Sequence, residues 1–196
     1  MKILAFSDVH LARNRMLQIV DAASDADLVI GAGDFCNARV GIEAAMELLE
    51  PMSCKAVYVP GNAESIDELR DATEATVLHG DCTEVDGVRI YGIGYAVPVT
   101  PFGAWSCDLT EEQAEAMLAA CEAPCDILIS HSPPKGLVDV NASGLSLGST
   151  SVRSAIERVQ PKYCFCGHIH DSWRKHGMIG ETRVHNLGPT VNWFEI

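Results

Sequence analysis

The sequence predicts an α/β fold, with helices and strands alternating early and more strand later. Three observations carry this. Five short apolar runs, often β-branched, each stop at a polar residue, as parallel strands buried on both faces do. Stretches between the early runs place apolar residues at i, i+3, i+4 and i+7, the spacing of amphipathic helices. Beyond residue 76, Gly-centred turns flanked by apolar residues suggest hairpins. No internal repeat, low-complexity segment or linker divides residues 1–196, so one domain with a substantial core is expected.

Lys2-Ile3-Leu4-Ala5-Phe6 is the first strand and leads into Ser7-Asp8-Val9-His10. Met16, Ile19, Val20 and Ala23 mark the first helix. Leu28-Val29-Ile30 is the second strand; Gly31-Ala32-Gly33 stops it and Asp34 emerges. Ile42, Ala45, Met46 and Leu49 mark the next helix, with Pro51 past its end. Ala56-Val57-Tyr58-Val59-Pro60 then runs into Gly61-Asn62-Ala63-Glu64. Ser65-Ile66-Asp67-Glu68 is a capping box for a short helix. Residues 1–70 thus read β-α-β-α-β-α, a doubly wound half.

Val77-Leu78-His79 before Gly80-Asp81, and Val88-Arg89-Ile90-Tyr91 after Asp86-Gly87, predict hairpins that begin a second sheet. Residues 94–109 carry Pro98, Pro101, Gly94 and Gly103, which deny the stretch a regular element. Its aromatics are expected to be buried, either on a substrate ring as a flap, on the loop's own core, or in a homo-oligomer contact. Thr110-Glu111-Glu112-Gln113 is a second capping box, with Ala114, Met117, Leu118 and Cys121 as the buried stripe. Ile127-Leu128-Ile129-Ser130 runs into His131. A Gly/Ser/Asn-rich stretch leads to a helix carrying Val152, Ala155, Ile156 and Val159. Ser149 or Ser151 caps that helix, or its amides receive an anion. Tyr163-Cys164-Phe165-Cys166 runs into Gly167-His168-Ile169-His170. The alternating residues around Gly188-Pro189 predict a closing antiparallel hairpin.

If the five strands share a sheet, Asp8, His10, Asp34, Asn62, His131, His168 and His170 meet at its C-terminal rim, where α/β sheets bind ligands. The set is oxygen plus imidazole without thiolate, which suits Mn first, or Fe, Zn, Co or Ni. Seven side chains exceed one catalytic ion with an open position but fit two divalent ions if a carboxylate bridges. Asp34, a lone acid at a strand tip, is the natural bridge. Asp8 and His10 can chelate one ion; His168 and His170 share that spacing, but a loop can divide them between two.

Asp8-Val9-His10, Gly33-Asp34, Gly61-Asn62-x-Glu64, His131 and Gly167-His168-Ile169-His170 resemble, in order, the signature of the calcineurin-like metallophosphoesterase superfamily. The resemblance spans residues 8–170 and implies a four-layer α-β-β-α sandwich of two mixed sheets flanked by helices. It implies one ion held by Asp8, His10, Asp34 and His170 and a second by Asp34, Asn62, His131 and His168. It further implies that a metal-bridging hydroxide attacks phosphorus in line, which makes Asp34, Asn62 and His131 catalytic. One position departs: the family usually carries His after the Asn, to protonate the leaving oxygen or hold the phosphate, and this chain has Ala63. Diesters and esters with good leaving groups are therefore favoured, and Ala63→His is expected to rescue poor leaving groups. His79 and His176 are the other candidates to supply the proton. Asn37 and Arg39, just past Asp34, are candidate phosphate contacts, and Glu64 is expected to order its loop rather than bind metal.

The formal charge of −13 argues against an extended nucleic-acid surface, because phosphate contacts need Lys and Arg. It leaves room for a small phosphoester such as a nucleotide, since two divalent ions would dominate the local field. No run approaches the ~20 apolar residues of a membrane helix, and the first strand begins at Lys2, so the expected compartment is the cytosol. The eight scattered Cys are then expected to stay reduced and structural. Three functions remain in view: a metal-dependent phosphoesterase, a nucleotide- or phosphate-binding sensor with little turnover, and a scaffold with a vestigial site. The intact ligand set speaks against the scaffold.

Overall fold

The computed structural model describes residues 1–196, apart from the side chain of Cys54. The first half is β1 (Lys2–Phe6), α1 (Arg13–Ala23), β2 (Leu28–Gly31), α2 (Ile42–Leu49), β3 (Ala56–Tyr58), α3 (Ile66–Ala72) and β4 (Thr76–Val77). The second half is β5 (Asp81–Val85), β6 (Val88–Ile93), α4 (Glu111–Leu118), β7 (Ile127–Ser130), α5 (Thr150–Val159), β8 (Tyr163–Cys166), β9 (His176–Ile179), β10 (Thr182–Asn186) and β11 (Asn192–Glu195).

These strands build two mixed sheets, ordered β11-β1-β2-β3-β4 and β5-β6-β7-β8-β10-β9. The apolar runs do not share one sheet, as the sequence suggested. β1, β2 and β3 lie in the first, β7 and β8 in the second, and both sets are parallel. Nor is the first half doubly wound. Met16, Ile19, Met46, Leu49 and Leu69 from all three helices pack with Leu4, Phe6, Val29 and Tyr58 on one face of the first sheet. The other face carries Ile3, Ala5, Ile30 and Val57, which meet Ile90, Ile127, Ile129 and Phe165 of the second sheet. α4 and α5 cover the second sheet's outer face through Ala114, Leu118, Val152, Ile156 and Val159. The result is the α-β-β-α sandwich, and a strand buried on both faces explains why the central runs are uniformly apolar.

Two strand assignments change. Thr76–Val77 does not enter a hairpin but pairs parallel with β3 at the first sheet's edge, while β5 and β6 form the expected hairpin around Asp86-Gly87. The tail is not one hairpin either. β10 pairs with β8 and β9 in the second sheet, and the chain then crosses at Gly188-Pro189 so that β11 pairs with β1 in the first. An alternating pattern reports a half-exposed strand but not its partner.

The helix starts are as the local chemistry dictates. Ser65 with Glu68, and Thr110 with Gln113, form reciprocal capping boxes. Ser149 caps α5 by accepting from the Val152 N–H. An anion does sit at that start, and it belongs to the chain: Glu111 accepts the Thr150 and Ser151 N–H groups, both at 2.9 Å, and the Ser149 and Ser151 hydroxyls. Cys36, Cys82, Cys107, Cys121, Cys125, Cys164 and Cys166 are free thiols, as expected; the side chain of Cys54 lies outside the described residues.

Candidate metal centre

The C-terminal ends of β1, β2 and β3 face those of β7 and β8, so the loops after five strands converge on one rim. Asp8, His10, Asp34 and His170 bring ligand atoms within 4.8 Å of one another, and Asp34, His131 and His168 do the same. Asp34 alone belongs to both groups. Its Oδ2 lies 3.4 Å from His10 Nε2 and its Oδ1 3.5 Å from His131 Nε2. Asn62 Oδ1 lies 3.2 Å from His131 Nε2, which adds the amide to the second group. All seven residues singled out in the sequence meet here.

The backbone is bent to achieve this. Asp8, His10, Asp34 and His168 have φ of 53°, 42°, 58° and 64°, in the left-handed region that non-glycine residues seldom occupy. Hydrogen bonds hold them there. Asp8 N–H donates to Gly33 O at 2.9 Å, His10 N–H to Asp34 O at 3.1 Å, and His168 N–H to Asp8 Oδ1 at 3.0 Å. Gly61 and Gly167 have no side chain for a packing reason: a Cβ at 61 would overlap the Asp34 carboxylate, and one at 167 the Asp8 carboxylate.

Glu64 orders the loops rather than joining either group. It is fully buried and accepts N–H bonds from Asp34 at 2.8 Å, Phe35 at 3.1 Å, Cys36 at 3.3 Å and Gly61 at 2.6 Å. Burial, and then the Asp34 charge, push its carboxyl up to about 7, against the Gly61 N–H.

The donor set fits divalent cations. His10 Nδ1 faces the Cys36 carbonyl at 3.0 Å and His131 Nδ1 the Ala32 carbonyl at 2.7 Å. A carbonyl can only accept, so each Nδ1 carries a proton and Nε2 is the ring atom left to face a metal. His10 Nε2 and His170 Nε2 stand 3.3 Å apart, close enough for one to donate to the other or for both to face one cation. Electrostatics agree. Burial alone would push His131 down, yet the Asp34 carboxylate lifts it to about 9. Desolvation, and then the neighbouring His131, push the half-buried His168 down to about 3. Burial works to raise Asp34, but His131 and His10 hold it well below the usual carboxylate range.

Several partners had no signal in the sequence. Trp173 donates its indole N–H to Asp8 Oδ2 at 3.0 Å and lies 4.2 Å, ring to ring, from His170. Its position three residues after His170 gains meaning only from the 3-10 turn His170–Ser172 between them. Ser7 also donates to Asp8. Conversely, Arg39 is not a phosphate contact: its guanidinium is paired with Glu68 at 2.6 and 2.7 Å. Asn37 is turned to the His10 carbonyl at 3.3 Å. Neither of the other candidate histidines reaches the rim. His79 accepts the Gly94 N–H at 3.0 Å, and His176 stacks on His185 beside Met178 and Trp193. Ala63 is 1% exposed and packs with the core under the first three helices, not on the cleft wall.

The centre opens into a cavity of about 460 Å³ lined by His10, Asp34, Asn62, His168 and His170 on one side and by residues of two loops on the other.

Comparison with known proteins agrees with this arrangement. The family model described as calcineurin-like phosphoesterase matches residues 1–172. An uncharacterised protein of Methanocaldococcus jannaschii is 30% identical over 96% of this chain and 88% of its own. The human metallophosphoesterase domain-containing protein 1 is 32% identical over 68% of this chain and 40% of its own. Among solved structures, TT1561 of Thermus thermophilus superposes with a TM-score of 0.78 at 19% identity, covering 98% of this chain and 97% of that one. An archaeal phosphodiesterase superposes with a TM-score of 0.54 at 16% identity, covering 100% and 93%.

Proposed function

Because this chain belongs to the calcineurin-like phosphoesterase family, we propose that it is a metal-dependent phosphoesterase that hydrolyses phosphodiesters or activated phosphomonoesters. The observation that carries this reading is the single Asp34 carboxylate shared by two histidine-bearing groups. Asp8, His10, Asp34 and His170 would hold one divalent ion; Asp34, Asn62, His131 and His168 would hold the second, with Mn the first candidate. When bound, such a pair supplies an acidified water and the positive charge that phosphoryl transfer needs.

The chain's own residues do the positioning. Trp173, Ser7 and the His168 N–H fix the Asp8 carboxylate, and the Ala63 N–H fixes Asp34 at 2.9 Å. The Ala32 and Cys36 carbonyls set the tautomers of His131 and His10. Among the described residues lining the cleft, the only imidazoles are His10, His168 and His170, which the ions would occupy. No imidazole outside the ligand set lines the described cleft to protonate a leaving oxygen, so departure depends on the leaving group's own stability. Nitrophenyl diesters should be cleaved far better than alkyl esters, for which general-acid help is worth ~10²–10⁴-fold.

The test loads the purified chain with Mn and reads metal content and turnover of bis(p-nitrophenyl) phosphate together. Two equivalents, reduced to one by His131→Ala with loss of turnover, are expected. A single equivalent unaffected by His131→Ala or Asn62→Ala would end the two-ion reading. The sensor reading rests on a cleft lining that holds no imidazole beyond the ligand set. Phosphate or nucleotide affinity without turnover of either ester class would favour it.

A further inference from the structure

Apolar side chains are seldom left exposed in a cluster without a use. Here six crowd onto two loops at the mouth of the metal centre. Val99 is 58% exposed, Phe102 50%, Trp105 36%, Val140 38%, Leu145 59% and Leu147 41%. Four of them, Val99, Phe102, Trp105 and Leu147, line the same cavity as the metal-ligating residues. Within the chain Phe102 and Trp105 are thus exposed, whereas Tyr95 of the same stretch is half-buried against the second sheet's core. Phe102 and Trp105 lie nearly parallel, 6° apart with centroids 5.6 Å apart, and both line the cavity.

The loop that carries them is tied to the metal centre. Asp108 accepts from Thr100 N–H at 2.8 Å, from the Thr100 hydroxyl at 2.9 Å and from the Ser106 hydroxyl at 2.6 Å. Asn62 donates its side-chain N–H to Ser106 Oγ at 3.1 Å, and its carbonyl accepts the Cys107 N–H at 2.9 Å. One residue therefore presents an oxygen to the second ligand group and anchors the loop bearing the rings. Their distance from the reacting centre is built in rather than left to a mobile segment.

Charge narrows the ligand further. Among the described residues lining the cavity there is no Lys or Arg, whereas Asp34 and Asp171 are present. Two divalent ions would balance one phosphoryl group; the extra charges of a polyphosphate would face apolar side chains and Asp171. Resting on the phosphoesterase reading, we propose that Phe102 and Trp105 are specificity-determining residues that stack an uncharged ring esterified to a single phosphate. The substrate class is ring-bearing phosphate mono- or diesters, not polyphosphates or small alkyl phosphates.

Binding tests this without the leaving-group effect that complicates turnover. Phenylphosphonate and methylphosphonate are titrated calorimetrically into the Mn-loaded chain. Phenylphosphonate is expected to bind roughly twofold to twelvefold more tightly, the range of an added aromatic contact. Phe102→Ala with Trp105→Ala should abolish that preference and leave methylphosphonate affinity unchanged, whereas Trp105→Phe, which keeps a ring, should preserve most of it. Both side chains are exposed, so the fold is expected to survive. Equal affinities in the wild type, a preference that survives the double variant, or failure of both phosphonates to bind would each overturn the proposal. So would a double variant that converts a dimer to a monomer with the phenyl preference intact, since the rings would then serve a second copy of the chain. Diester turnover read on the same preparations separates the two claims. A phenyl preference without turnover removes the hydrolytic reading alone, and turnover without a phenyl preference removes the ring wall alone.

Discussion

Asp34 and Ala63 show what single residues decide. Asp34 lies in both ligand groups and Asp8 in one. Asp34→Asn is therefore expected to lose more activity at saturating metal than Asp8→Asn. Its loss should exceed the ~10–100-fold that removing a ligand's hydrogen-bonding partner costs. Equal residual rates would show that Asp34 does not serve two ions. For Ala63 the structure adds a cost that the sequence did not show, because the side chain is buried in the core under the first three helices. Ala63 is 1% exposed within that cluster, so an imidazole there has to displace buried neighbours. Ala63→His is expected to destabilise by about 1–3 kcal/mol, the cost of overpacking, and to leave the leaving-group dependence unchanged. Denaturant unfolding and rates on nitrophenyl and alkyl esters check both halves. The seven ligating candidates were legible because they lie in the short loops that follow five apolar runs, a pattern that needs no knowledge of the partner strand. Trp173 was not, because its role depends on a turn and on a contact 165 residues away in sequence.

At the scale of elements, the helices were readable wherever capping chemistry and a 3.6-residue period coincided, as at Ser65 and Thr110. α1 has no side-chain cap, so its start at Arg13 was legible only from its buried stripe. Glu111 joins two elements: it lies in the first turn of α4 and closes the start of α5. Glu111→Ala should cost about 1–2 kcal/mol, the upper range for a lost cap, while turnover stays within twofold. Thermal unfolding with parallel kinetics would reveal a catalytic role if activity fell instead. Residues 94–109 were legible as irregular and no further. Neither helical nor strand period exists there, and their conformation is set by Asp108 and Asn62 through individual hydrogen bonds.

At the scale of the molecule, the four layers follow from where apolar faces lie, but sheet membership does not. Alternation in β10 and β11 looks the same whether the two pair with each other or with strands of opposite sheets. The candidate centre draws on both sheets, with Asp8, His10, Asp34 and Asn62 from one and His131, His168 and His170 from the other. Cations bound there would cross-link the sandwich. Metal at a hundred times its dissociation constant stabilises by about 2.7 kcal/mol, roughly 5–10 °C for a chain of this size. Calorimetry with Mn and with chelator should show that gap, and unchanged melting would mean that no ion is held at the sheet junction. The pairing of β1 with β11, Lys2 opposite Glu195, has a further consequence. On the ribosome, β1 must wait while roughly 190 further residues are made before β11 covers its outer edge. At ordinary elongation rates that delay is on the order of 10–40 s. Throughout it, the nascent chain presents an open row of amides and carbonyls to every neighbouring polypeptide.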